Sequence, residues 1–141
     1  MTNSALEGGD TARAVSSTVR LAFAATTNVP TPAIVAVEPA ESAVMSGGSP
    51  GEHDIQGIGD GFIPALVDMS FVGSVERVSS EEARAEARRL HAEHGFCVGM
   101  SAGANMLAAL RRASAGATVV TPWPDCSDRY VSMGLLPPQS W

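Results

Sequence analysis

The chain has 141 residues, 45% of them hydrophobic and 17% charged, which suits one globular domain burying about two thirds of its unfolded-chain surface. A net charge of −6 argues against nucleic acid and anionic membrane as partners, since both need clustered basic groups. All 9 basic residues are arginines (Arg13, Arg20, Arg77, Arg84, Arg88, Arg89, Arg111, Arg112 and Arg129), so these residues cannot carry chemistry that needs a lysine side chain.

Residues 1–33 are dominated by Ser, Thr, Ala, Gly and Asn, and Pro30 and Pro32 close the segment. A helix over Ala12–Ala25 would have no clean apolar face, so this part is expected to be weakly ordered. Arg20 interrupts its apolar residues, and Leu21–Ala25 is shorter than the ~7–15 residues of a signal-peptide core. No stretch approaches the ~18 apolar residues of a membrane span, and a cytoplasmic protein is expected.

Ile34-Val35-Ala36-Val37 reads as a buried strand of the parallel type. Residues 46–61 form a long glycine-rich loop, and loops of that length inside a domain usually have a function. Val75–Val78 predicts a second strand. Ser79 with Glu82 then forms a capping box that opens a helix. Its core face is Ala83, Ala87 and Leu90, its ion pairs are Glu81–Arg84 and Glu86–Arg89, and Gly95 ends it.

Phe96-Cys97-Val98 predicts a strand that turns through Gly99-Met100-Ser101 into a second helix. That helix turns Ala104, Leu107 and Ala108 inward and ends on Arg111 and Arg112, which suit its dipole. Ala117–Thr121 predicts a last strand, and 137–141 a tail. Cys97 and Cys126 lack metal-site spacing and are too few for a disulfide framework, so both are expected as buried, reduced thiols. Alternating strands and helices without a repeat are the pattern of an α/β fold with a parallel sheet.

Gly99-Met100-Ser101-Ala102-Gly103 matches the G-x-S-x-G turn of hydrolase nucleophiles. In that class the acid and histidine follow the serine, yet His53, His91 and His94 all precede Ser101. Two other roles fit a serine there: a helix N-cap, or a hydroxyl that bonds a ligand admitted by small neighbours. Gly57-Ile58-Gly59-Asp60-Gly61 departs from the dinucleotide fingerprint, because Phe62-Ile63-Pro64 follows where a helix should open. It reads as either an active-site loop or an ordinary connection. His91 and His94 suit a solvated helix end, His53-Asp54 suits an exposed loop, and no metal site is expected.

Taken in order, several blocks resemble the cysteine synthase and cystathionine β-synthase family of pyridoxal-phosphate enzymes. They are Val35 to Ser42, Ser46-Gly47-Gly48, Ile55 to Pro64, Val78 to Ala83, Gly99 to Asn105 and Pro124 to Tyr130, and together they cover about 34–136. The resemblance implies the two-domain fold type II of that family, with this region supplying an incomplete parallel sheet flanked by helices from the larger domain. It implies pyridoxal phosphate as cofactor, a small amino-acid substrate, and β-replacement of an activated serine's leaving group by sulfide. Ser101 falls where the family places the hydroxyl that meets the cofactor's pyridine nitrogen. Gly57, Ile58 and Gly59 match the loop that borders the cofactor and moves as the cleft closes.

Three family features have no match. The Schiff-base lysine and the asparagine loop that grips the substrate carboxylate would lie before residue 1. The glycine- and threonine-rich phosphate loop should precede Val35, but Arg13-Ala14-Val15-Ser16-Ser17 and their neighbours lack that pattern. The resemblance therefore implies a truncated chain with no catalytic residue of its own, inactive alone. It would be one half of a split enzyme completed by an N-terminal half, or a non-catalytic binding module pairing with a full-length homologous chain.

Overall fold

The computed structural model describes residues 32–113 and 117–136. The expected helix over Ala12–Ala25, the rest of the 1–31 stretch and the 137–141 tail lie outside those residues.

Two strands, β1 (Ile34–Pro39) and β2 (Val72–Val78), pair in parallel with Ala36 opposite Val75 and Val37 opposite Glu76. The β-branched runs IVAV and VGSV favour extended backbone, and both strands bury their C-terminal ends. Parallel neighbours are usually joined through a helix. Here the 40–71 connection contains only short 3-10 turns, at Ala40–Ser42 and Met69–Phe71. Glu38, 1% exposed at the end of β1, accepts the N–H groups of Met45 (2.7 Å) and Ser46 (3.2 Å) and so fixes the first bend of that connection. A buried carboxylate with such bonds is satisfied by backbone rather than by a counter-ion.

Helix α1 (Ser80–His94) starts at the expected capping box: Ser79 Oγ accepts the Glu82 N–H, and Glu82 accepts the Ser79 N–H at 2.9 Å. The bond from the Ser79 backbone, first among the causes, holds the Glu82 carboxyl below its ordinary pKa range. Gly95, at φ 72°, closes the helix, and the Phe96 N–H reaches the Leu90 carbonyl. Ala83, Ala87 and Leu90 are buried as expected. Glu86 pairs with Arg89 as expected, but Arg84 reaches Asp54 at 2.8 Å instead of Glu81. Asp54 is presented by the 46–61 loop, so a tertiary partner displaces the local one.

Helix α2 (Met100–Arg112) packs on α1, and both belong to one apolar cluster with Ile55, Val78, Met100, Ala102, Tyr130 and Leu135. Ala104 and Ala108 are buried, and Leu107 packs against the cluster from its edge. Arg111 bonds Glu82 at 2.5 Å and the Arg77 carbonyl at 2.8 Å, and Arg112 pairs with Glu76. The end of α2 is thus tied to β2 and to the start of α1. Arg88 donates to the Leu135 carbonyl at 2.6 Å and anchors the turn after the last 3-10 segment, Ser127–Met133.

Two expected strands are corrected. Phe96–Val98 and Ala117–Thr121 are irregular: a strand needs a ladder partner, and among the described residues the sheet contains β1 and β2 alone. The α/β class with a two-stranded parallel sheet stands. No helix among the described residues is long and apolar enough to cross a membrane.

Candidate functional site

The Gly99–Gly103 turn is shaped by what packs against it. Gly99 is the N-cap of α2 and supplies no side-chain cap. Its φ is ordinary, so the requirement for glycine is steric: a Cβ there would strike the Asp125 carboxylate and the Tyr130 ring. At Gly103 a Cβ would strike the Ala83 carbonyl and the Ala87 backbone nitrogen of α1. Both glycines of the G-x-S-x-G pattern are therefore explained by close packing. No nucleophile elbow is needed to account for them.

Ser101 is not the helix N-cap that one sequence reading allowed; it follows Met100 inside the first turn of α2. It is 4% exposed. The first-turn N–H groups of α2 also lack a side-chain acceptor. A buried hydroxyl beside uncapped backbone donors can give a hydrogen bond to a ligand acceptor.

Gly57, Ile58 and Gly59 lie in the long loop, where residues 50–61 surround an open hollow of about 500 Å³. Ile55 is fully buried, and Ile58 packs against the same apolar cluster that holds Met100 and Ala102. Gly59 adopts φ 75°, and a Cβ there would crowd Pro39 and His53. His53 contacts the Gly59 carbonyl at 2.9 Å, so its Nε2 is the protonated nitrogen, and the buried Nδ1 has no partner. His53 thus braces the loop rather than decorating its surface. Ser101 does not line the hollow: loop and serine share the core beneath them, not one wall.

A contact that sequence reasoning left without a role secures the turn. The Gly99 N–H donates to the Asp125 carbonyl at 3.1 Å, and the Tyr130 hydroxyl donates to Asp125 Oδ2 at 2.5 Å. Asp125 Oδ1 is buried without a partner. Burial, and then the bond to Asp125, pushes the Tyr130 pKa up to about 12. The signal in the sequence is the Pro124 to Tyr130 block.

The cysteines require a second correction. Cys97 is exposed, and it is joined by a disulfide to the half-buried Cys126, with Cα atoms 4.9 Å apart. Their separation of 29 residues hid a pairing that only the return of the chain past α2 creates.

Ser101 thus offers a neutral, buried hydroxyl in the first turn of α2. The profile of a family described as pyridoxal-phosphate dependent enzyme matches residues 4–125. Cysteine synthase of Staphylococcus aureus (strain Mu50 / ATCC 700699) is 42% identical over 105 residues, 72% of this chain and 34% of that protein. The crystal structure of cysteine synthase from Entamoeba histolytica superposes with a TM-score of 0.72 at 39% identity, over 77% of this chain and 33% of the other. An O-acetylserine dependent cystathionine β-synthase from Helicobacter pylori gives 0.66 at 39% identity, over 73% and 34%. The chain thus spans about a third of the length of the relatives it matches.

Proposed function

Because the chain belongs to the pyridoxal-phosphate dependent enzyme family, we propose that it forms the part of a cysteine-synthase-type site that meets the cofactor's ring nitrogen, through Ser101. When bound, the cofactor supplies the electron sink for replacing an activated serine's leaving group by sulfide. Ser101 holds one neutral hydrogen bond at the ring nitrogen. A carboxylate there would retain a proton on the ring and strengthen the sink. Gly57, Ile58 and Gly59 border the site as a loop anchored by the buried Ile55 and by the His53 contact to the Gly59 carbonyl. The observation that carries the reading is the burial of Ser101 in the first turn of α2, a helix start without a side-chain cap.

The chain contains no lysine, so a Schiff-base lysine would have to come from residues outside these 141. The same observation favours a second reading, a binding module that pairs with a full-length relative without catalysing anything. The test mixes the whole chain with the lysine-bearing N-terminal portion of a cysteine synthase, pyridoxal phosphate, O-acetylserine and sulfide. Cysteine should form, and Ser101→Asp should lower turnover on the order of tenfold or more while circular dichroism stays unchanged. Undiminished turnover in that variant removes Ser101 from the site. No turnover, with tight binding to an intact cysteine synthase, selects the second reading.

A further inference from the structure

The Cys97–Cys126 bond lies where it can govern the Ser101 turn. Cys97 precedes Val98 and Gly99, and Cys126 directly follows Asp125, so the covalent link runs parallel to the Gly99–Asp125 backbone bond. The loop it closes contains all of α2. Other ties also hold the 122–130 segment: the Asn105 side chain donates to the Pro122 carbonyl at 3.1 Å, the Trp123 ring lies 5.0 Å from that of Phe96, Tyr130 is buried in the apolar cluster, and Cys97 Sγ lies 3.2 Å from Ser127 Oγ. Disulfide exchange is governed by access of a thiolate to one sulfur. The two residues differ in exposure, Cys97 being exposed and Cys126 half-buried.

We propose that the Cys97–Cys126 disulfide is an exchange site for small sulfur nucleophiles, thiolates or hydrosulfide, and that opening it releases the Asp125–Tyr130 segment from the Gly99–Ser101 turn. The nucleophile attacks Cys97 Sγ, a new bond forms there, and the old bond breaks with its electron pair left on Cys126, which takes a proton from water. A second nucleophile attacks the outer sulfur of the adduct and frees Cys97. In sum the protein gains two electrons and two protons while two nucleophile molecules are oxidised to their own disulfide. Hydrosulfide and cysteine, substrate and product of the reaction proposed above, both belong to this class. The significance of the turn rests on that reading of Ser101; the exchange chemistry does not.

The experiment uses the whole chain without cofactor, so its outcome is separate from that of the Ser101→Asp assay. The protein is treated with hydrosulfide or with reduced glutathione, quenched by alkylation and mapped by mass spectrometry. Cys97 should carry one added sulfur atom in the first arm and one glutathione in the second, with Cys126 alkylated in both. Tyr130 is the single tyrosine, so ultraviolet titration reads the segment directly. Its midpoint should fall from about 12 in the untreated chain toward 10 after exchange. Cys97→Ser should give the low midpoint with no nucleophile added and should take up neither adduct. Cysteines that alkylate fully before treatment, a disulfide that survives both nucleophiles, or a midpoint unmoved by opening would each overturn the proposal.

Discussion

A methyl group on Gly103 would meet the Ala83 carbonyl oxygen and the backbone of Ala87, so α1 and α2 touch there main chain to main chain. Gly103→Ala must push the helices apart or tilt one of them, and overpacking of that kind costs about 1–3 kcal/mol. Urea unfolding followed by circular dichroism should show the loss as a lower midpoint at unchanged slope. A midpoint equal to that of the native chain would mean that α1 yields without penalty. The position of Ser101 in this turn was legible from the sequence, because small residues after an apolar run mark a helix start. The reason for its glycines was not legible, since Ala83, Asp125 and Tyr130 reach them from other segments. Periodicity carries no information about such approaches.

At the scale of elements, α1 is specified almost entirely by its own residues. Ser79, Glu82 and Gly95 set its ends, and Ala83, Ala87 and Leu90 its buried face. Ser79→Ala removes the acceptor for the Glu82 N–H and should cost about 1 kcal/mol, measured as a drop in the unfolding midpoint. Ser79→Asp should recover most of it, and an Ala variant as stable as the native chain would show that Glu82 alone caps the helix. This locality explains why both helices could be read in advance. Strands are defined by their neighbours instead, so Phe96–Val98 and Ala117–Thr121 had the right composition and no ladder to join. Arg84 teaches the same lesson for charges: Glu81 is near in sequence, but Asp54 is held in place by the fold. In the candidate site, Gly57, Ile58, Gly59 and Ser101 were legible as pattern. The Asp125–Tyr130 contact and the disulfide depend on how the chain returns past α2, which spacing does not encode.

At the scale of the whole molecule, a family of pyridoxal-phosphate dependent enzymes is represented by a chain without a lysine. Incubation with pyridoxal phosphate followed by borohydride should therefore fix no cofactor on any residue of 34–136. Peptide mapping checks this, and a stoichiometric reduced adduct in that range would contradict it. Phe71 at 69% exposed, Phe62 at 62% and Val120 at 82% keep large apolar side chains in solvent. Any companion that binds only the folded chain stabilises it in proportion to its concentration over the dissociation constant. The connection between the strands has a further consequence, in time rather than in energy. Joining β1 to β2 requires the whole 40–71 stretch to close on itself without a helix to shorten it, whereas α1 and α2 are separated by residues 95–99 alone. Short closures are reached sooner than long ones. Contact between the two helices is therefore expected to form before the parallel strands pair.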